Sequence, residues 1–464
     1  KMSPQRALLL GAGFLFAAKS TAYDIVVIGG GSAGLTAAKF GARFGKRVLL
    51  VEKARLGGDC TWTGCVPSKS LLAAAKAAHA SRTGSTYGVK SVGEPSVDWA
   101  KLTGRLQRTI TKIYDEDDSP EALGRLGIEV MGGTARFSGP ESLVIASGGG
   151  GSSPGGSSST QVTPKFGVVV ATGARPIVPN SIAGLAGVEY LTYEDIFTGL
   201  SAQPKAMTVV GGGPIGCELA QAFARLGTEV TLVAEQLLPS EDPEAGAILE
   251  RVFQREGVKR AKGRAVEAAA RGKGGHAVTV QLASGETEVV SGDALLVAVG
   301  REAVVEGLGL DVAGVACTDG GDKGIKVDAN LQTSNKRVYA AGDCVGGPQF
   351  THVAGFQGAI AARNLLLPLS DRGVLSAAPP ACTFTSPEVA SVGFTKAASE
   401  GGAGGGARRR GPLGRLFGRG NEEGEVATIE RKLARVDRAI CDLDDPEGLI
   451  KIFYRPKDGT ILGT

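Results

Sequence analysis

Two periods of apolar residues alternate along this chain, and the change from one to the other happens twice in the same way. Asp24 to Lys53 reads DIVVIGGGSAGLTAAKFGARFGKRVLLVEK. Its apolar, β-branched run Ile25–Ile28 leads into a glycine turn, an amphipathic helical stretch, a Gly near the end of that stretch and a second apolar run ending at Glu52. Met207 to Glu235, MTVVGGGPIGCELAQAFARLGTEVTLVAE, repeats the order with Thr208–Val210 as its first strand. Each copy predicts a βαβ opening with parallel strands buried on both faces. At the far end, Gly448–Phe453, the Asp458-Gly459 turn and Thr460–Leu462 predict a strand, a turn and a returning strand. The sequence stops within that second strand, so the C-terminal sheet is expected to be incomplete.

Three stretches interrupt the pattern. Residues 147–160 are a Gly/Ser run between strand-like segments, and residues 399–425 are Gly-rich and then basic, with Arg408, Arg409, Arg410, Arg415 and Arg419. Both are expected to be poorly ordered, the second as a solvated loop or else a patch for anionic partners. The apolar run Ala7–Ala18, preceded by Lys1 and Arg6, falls short of the roughly 20 residues a membrane span needs. It reads as a targeting remnant or an apolar lead-in, and a chain opening on Lys is expected to lack its true start.

Composition narrows the class. With 464 residues, 42% hydrophobic and 21% charged, the chain suits a soluble enzyme of several domains. A net charge of +4 gives no case for nucleic acid as a partner. Of seven cysteines, Cys217, Cys317, Cys344, Cys382 and Cys441 are scattered and read as small core residues. Only Cys60 and Cys65 are close neighbours, which points to a reducing intracellular compartment, the cytoplasm or an organelle such as a plastid or mitochondrion.

The glycine turns carry the first chemistry. Gly29, Gly31 and Gly34 follow a strand directly, an arrangement that permits a tight turn, backbone approach to a pyrophosphate and close helix packing. Glu52 ends the next strand, where a carboxylate can bind ribose hydroxyls. A purely structural turn is the plain alternative. Gly211, Gly213 and Gly216 form the second turn. Alignment places Ala234 opposite Glu52 with Glu235 one residue later, and no Arg or Lys occurs from Ala234 to Asp242 to receive a 2′-phosphate. NADH is therefore favoured over NADPH.

Residues 57–69 read GGDCTWTGCVPSK. Cys60 and Cys65 are five positions apart, an axial rise of about 7.5 Å in a regular helix. A disulfide needs Cα atoms within roughly 4.4–6.8 Å. Bridging thus requires a distorted first turn, for which Gly64 is well placed. A helix N-terminus and a nearby cation are expected to lower the thiol pKa values. A structural disulfide or half a zinc site are the alternatives, but zinc would want a second closely spaced Cys/His pair, so no metal ligands are assigned.

GGDCTWTGCVPSK between two glycine motifs resembles the class I pyridine nucleotide-disulfide oxidoreductases, and its wording, with FTHVAGFQG (350–358) and VDRAIC (436–441), is most similar to the mercuric reductase-like branch. The resemblance runs from Tyr23 to Thr464 and includes ATGARP (171–176), VGR (299–301), VYAAGDCV (338–345) and TFTSPEVASVG (383–393). It implies an α/β fold: two Rossmann-like domains for FAD and NAD(P) plus a truncated α+β dimerisation domain. The divisions are a lead over 1–22, an FAD domain over 23–203 and 301–375, a nicotinamide domain over 204–300 and the interface domain over 376–464.

The resemblance also implies roles. Cys60 is similar to the interchange thiol and Cys65 to the flavin-facing thiol. Lys69 and Glu218 resemble an ion pair near the flavin N5, and Asp343 the residue bonding the ribityl chain, with a turn-forming Asp as the plain alternative. Cofactor contacts are expected at Ser32, Ala33, Lys53, Gly58, Lys69, Thr172, Gly173, Pro214, Ile215, Gly300, Arg301 and Gly342 as well. The implied activity passes electrons from NAD(P)H through FAD to the Cys60–Cys65 disulfide, then to a small disulfide or metal-ion substrate, in a homodimer. Dihydrolipoamide-type dithiol oxidation and a non-catalytic flavin-binding protein are the alternatives. Two family features are not found. His79, His276 and His352 lie in no His–Glu motif; His79 reads as a helix-surface residue, His276 as part of a Gly/Lys turn, and His352 as a possible cofactor-side group. No C-terminal cysteine pair for metal transfer is present in the sequence.

Overall fold

The computed structural model describes residues 23–90, 95–146, 159–272, 274–318, 324–368, 370–375, 378–395, 426–442 and 446–464. The apolar run at 7–18 and the basic insert at 399–425 lie outside them, as do residues 147–158 of the Gly/Ser insert.

Five parallel strands form the first sheet, in the order Val338–Ala340, Gly167–Val170, Ile25–Ile28, Val48–Glu52 and Ile128–Gly132. Alternate side chains of one strand feed opposite cores. Ile25 and Val27 pack with Ala37, Ala38, Ala361 and Ala362 of the covering helices Ser32–Arg43 and Thr351–Leu366. Val26 and Ile28 instead meet Phe137, Ile145 and Val162. Those three belong to an antiparallel sheet of Thr134–Phe137, Leu143–Ala146 and Ser159–Val162. Ser159 and Thr160, read from sequence as insert, are thus strand residues. Pairing with Ala146 and Ile145 recruits them.

The second sheet repeats the plan: Lys259–Ala261, Glu229–Val233, Ala206–Val210 and Ala294–Val297, all parallel. An antiparallel sheet of Gly263–Arg271, Gly275–Leu282 and Thr287–Gly292 covers one face, with Val278 and Val280 against Val210 and Val297. The helix Pro214–Leu226 covers the other and supplies Phe223 to that core. The chain is therefore α/β with two Rossmann-like sheets. An antiparallel pair, Arg301–Ala303 with Ala174–Pro176, ties them together.

Near the C-terminus, Ala427–Lys432, Leu449–Tyr454 and Ile461–Gly463 form an antiparallel sheet, matching the strand–turn–strand reading. It docks through ions. Lys451 Nζ lies 3.0 Å from Asp242 Oδ2 and 3.3 Å from Glu244 Oε2, and Arg251 Nε lies 2.7 Å from Glu447 Oε2.

Two readings of scattered residues are corrected. Cys217 and Cys344 are buried, but Cys317 and Cys441 are exposed and Cys382 is half-buried. The first two sit within helix and sheet packing; the exposed pair lie on peripheral segments. His276 is no turn residue either. It sits in the strand Gly275–Leu282 at 1% exposure, its Nε2 2.8 Å from Thr208 Oγ1. Burial lowers its pKa, because a charged imidazole there would lose its hydration. Below the ordinary histidine range, near pH 6.5, the unfolded chain then binds more protons than the folded one, so stability falls with falling pH. His79 shares that direction, through burial and then Arg225. Thermal melts at pH 7.5 and 5.5 should show a smaller acid-induced drop in His276→Gln than in the parent chain; an unchanged drop would exclude His276 as a contributor.

Candidate active site

The two glycine turns have the same geometry. A Cβ at Gly29 would sit 2.2 Å from Ala171 O and one at Gly34 1.8 Å from Gly29 O. The corresponding clashes at Gly211 and Gly216 are 2.2 Å to Ala298 O and 2.0 Å to Gly211 O. The middle glycines differ from these. A Cβ at Gly31 would meet nothing nearer than Gly58 Cα at 3.7 Å, and one at Gly213 nothing within 4 Å. Outer glycines therefore fold the turn, while the middle ones keep the helix N-terminus open to a phosphate. The residues present fit two dinucleotides.

Around the first turn, Gly30 N–H and Ala54 N–H donate to Glu52 Oε2 and Oε1, at 2.6 and 2.7 Å. Gly58 packs so tightly on Gly31 that a Cβ would lie 2.6 Å from Gly31 Cα. Ser32 opens the helix, Ala33 faces Gly342 and Gly358, and Lys53 is exposed. Thr172 Oγ1 donates to Val304 O at 2.7 Å, and Val304 N–H to Gly173 O. Around the second turn, Pro214 and Ile215 open the helix. The registers Ile28↔Val51 and Val210↔Val233 make Ala234 the counterpart of Glu52. Glu235 is exposed and lies 3.7 Å from Arg264 Nε. That cation comes from the strand Gly263–Arg271, beyond the local stretch searched from sequence.

The cysteines occupy two different helices. Cys60 lies in Gly58–Trp62 and Cys65 opens Cys65–Thr83, with Thr63 and Gly64 between. A Cβ at Gly64 would lie 2.9 Å from Asp59 O and 3.5 Å from Cys60 Cα, so glycine permits the distortion that brings the two thiols near enough to influence each other's ionisation. The hydrogen bond from Cys60 is the leading cause lowering the Cys65 pKa, with Thr351 and Lys69 assisting against burial. The same contact, then burial, raises that of Cys60. Thr351 Oγ1 lies 3.3 Å from Cys65 Sγ.

Lys69 Nζ is 3.2 Å from Glu218 Oε2. Glu218 is 7% exposed, and its Oε1 accepts from Phe384 N–H at 2.9 Å. Lys69 also lies 4.0 Å from the Phe384 ring centroid. An open cleft of about 380 Å³ beside Cys65 and Lys69 is lined further by Ser70, Arg105, Thr109 and Ile113.

Arg301 gathers a second cluster. It pairs with Asp59, lies 3.0 Å from Asp343 Oδ2 and donates to Tyr193 Oη at 3.1 Å. Burial raises the Asp343 pKa, opposed by Arg301. Gly300 O accepts from Ile177 N–H at 3.0 Å, and Gly342 N–H donates to Gln357 Oε1 at 2.9 Å. Asp118, buried, accepts from Thr61 Oγ1 at 2.9 Å. Of the histidines, His352 is exposed and stacked on Phe350, and His79 is half-buried. Among the described residues, no group of three or more His, Cys, Asp or Glu could hold a metal ion.

Sequence reading missed Asp59, Tyr193, Thr351, Phe384 and Asp118. Three lie in stretches with a visible signal: Asp59 adjoins Cys60, Thr351 precedes the weighed His352, and Phe384 falls in TFTSPEVASVG. Tyr193 and Asp118 had none, since only tertiary packing brings them near.

Two dinucleotide folds beside a closely placed thiol pair define a flavin-linked, nicotinamide-dependent disulfide oxidoreductase. The sequence profile for the pyridine nucleotide-disulphide oxidoreductases matches residues 23–358, and the chain belongs to this family, whose members use FAD and NAD(P)H. It is 36% identical over 378 residues to a mercuric reductase of Streptomyces lividans, covering 81% of this chain and 77% of that one. It is 32% identical over 448 residues to a dihydrolipoyl dehydrogenase of Bacillus subtilis, covering 95% and 87%. The crystal structure of LpdA from Mycobacterium tuberculosis superposes with a TM-score of 0.77 at 27% identity, covering 95% and 88%. The flavoprotein disulfide reductase RclA of Escherichia coli shares the fold, with a TM-score of 0.75 at 24% identity over 95% and 88%.

Gly31→Ala should melt within a few degrees of the parent yet lose bound flavin on gel filtration, because its Cβ projects only into the ligand side. Gly34→Ala, facing Gly29 O, should instead destabilise the fold by about 1–3 kcal/mol in urea titration. Equal flavin retention in Gly31→Ala and the parent would contradict the cradle.

Proposed function

We propose that the chain reduces a small disulfide or metal-ion substrate at Cys60, at the expense of NAD(P)H. The thiol pair, with Cys65 lining a cleft beside the Lys69–Glu218 pair, carries this reading. FAD, when bound, supplies two-electron exchange between the nicotinamide and the thiol pair. Gly29, Gly31, Gly34 and Glu52 would hold it, and Gly211, Gly213 and Gly216 would hold the nicotinamide nucleotide.

With a disulfide substrate, the Cys60 sulfur, its proton passing to Cys65, attacks one substrate sulfur and expels the other as a thiolate. A mixed disulfide results. The Cys65 thiol then returns its proton to that departing group, and its thiolate attacks Cys60 Sγ. The second substrate thiolate leaves and Cys60–Cys65 closes. Two electrons reach the substrate, and the same two must be restored from the nicotinamide. With mercuric ion as substrate, the same two thiolates are the soft ligands. Lys69, paired with the buried Glu218, sits one helical turn beyond Cys65.

A second reading, oxidation of a dithiol by NAD⁺, is favoured by the dihydrolipoyl dehydrogenase that spans 95% of this chain. Homodimerisation through the C-terminal sheet belongs to the same proposal.

Steady-state assays with NADH or NADPH should decide, using a small aromatic disulfide, lipoamide and mercuric chloride as acceptors, and dihydrolipoamide with NAD⁺ for the reverse direction. Cys60→Ser should lower every acceptor rate by about three orders of magnitude while keeping its flavin. Full turnover in that variant would refute the thiol route. Faster dithiol oxidation than acceptor reduction would establish the second reading.

A further inference from the structure

The helix Trp99–Ile113 has two unlike faces. Leu102 and Leu106 pack on the core that holds Phe223, and Ile110 is buried. Lys101, Arg105, Arg108 and Lys112 recur at every third or fourth position and are exposed, and no Asp or Glu stands between Trp99 and Ile113 to balance them. Such a stripe is ordinarily a solvated face. Arg105 departs from that pattern. Its Nη1 donates to Ser70 O at 3.3 Å and Ser70 Oγ at 3.2 Å, and Ser70, itself buried, belongs to the helix Cys65–Thr83. Arg105 thereby joins Cys65 and Lys69 in lining the cleft of about 380 Å³. The lining residues come from these two helices alone; none is acidic, and neither glycine turn contributes.

We propose that Arg105 binds a carboxylate of the substrate, and that the substrate is a small organic disulfide bearing that group. The inference rests on the thiol-pair reading above and narrows its substrate class. Of the two cations in the cleft, Lys69 is already matched by Glu218. Arg105 forms no ion pair among the described residues. Its contacts with Ser70 use Nη1 only, which leaves the Nε–Nη2 edge for a carboxylate in the two-pronged geometry that guanidinium favours. Position sets the size of the substrate. Ser70 follows Cys65 by five residues on one helix, an axial rise of about 7.5 Å. A molecule whose carboxylate lies about that far from its sulfur reaches the thiol pair while held on Arg105. The cleft volume suits a small molecule. The same unbalanced charge opposes a bare metal cation, so the disulfide is the favoured acceptor.

The test compares acceptors on the FAD-loaded chain with saturating NADH or NADPH. Dithiobis(nitrobenzoate), with a carboxylate on each ring, is set against uncharged dithiodipyridine. Each releases two thiols per reduced nicotinamide consumed, and the quantity read is the ratio of their kcat/KM values. Arg105→Gln can still donate to Ser70 O, so the helix pairing is kept, and thermal melts check it. That variant should lower the ratio about tenfold, the worth of one hydrogen-bonded charge pair. Arg108→Gln, on the same stripe but outside the cleft, should hold the parent ratio. Arg105→Glu should shift the preference toward cystamine, a disulfide with two ammonium groups. An unchanged ratio in Arg105→Gln, an equal fall in Arg108→Gln, or no gain for cystamine in Arg105→Glu overturns the carboxylate site alone. A parent chain that reduces these disulfides no faster than Cys60→Ser does overturns the thiol-pair reading and this inference together.

Discussion

A side chain at position 64 would press on the Asp59 carbonyl at 2.9 Å, and the arrangement of the reactive centre follows from that approach. In an unbroken helix the sulfurs of Cys60 and Cys65 would point from different turns and sides. Because Thr63 and Gly64 leave helical geometry, one short helix ends at Trp62 and another begins at Cys65. The break does two things at once. It brings the thiols near each other, and it makes Cys65 a helix-opening residue whose sulfur feels unpaired backbone N–H groups. Lys69 then falls one turn further along the same helix, where Glu218 meets it from the second sheet's helix.

The two nucleotide folds share a plan down to individual backbone clashes but differ at the end of the second strand. Glu52 accepts two backbone N–H groups and so holds the first turn closed upon itself. At the equivalent place the second unit has Ala234, and its turn is held by Leu238 N–H donating to Gly212 O at 2.7 Å. The carboxylate has moved one residue outward, to Glu235, where it is solvated and opposed by Arg264. A carboxylate locked by its own backbone recognises by fixed position, whereas an exposed one balanced by a cation leaves the outcome to whichever ligand binds.

Much of this was legible in the chain. Period and glycine spacing located both βαβ openings, since buried parallel strands and close-packed turns leave few alternatives. Short motifs mark Cys60, Cys65, Lys69 and Glu218, and the expected distortion at Gly64 is present. What escaped notice is set by long-range packing. His276 reads as a turn residue in a stretch of Gly and Lys, yet strand pairing with Ala270 and Gly292 places it inside. Arg301 was marked by a motif, but its joining of Asp59, Tyr193 and Asp343 spans three distant segments. No local pattern encodes such a meeting. Thr351 carries no local motif of its own: the helix start directs its hydroxyl at Cys65 Sγ, while the neighbouring His352 ring stacks on Phe350.

The Lys69–Glu218 pair shows why the C-terminal part of the chain belongs to the chemistry. A carboxylate as buried as Glu218 loses its hydration and must be matched on both oxygens. Lys69 satisfies one, and the other takes the backbone N–H of Phe384, whose ring also lies over the ammonium. The next turn of the same helix repeats the link, Gln221 exchanging two hydrogen bonds with the Ser386 backbone at 2.9 and 2.7 Å. Without the 383–386 segment, one oxygen of Glu218 would lose its partner. The C-terminal segment thus completes the surroundings of the ion pair that lies beside Cys65.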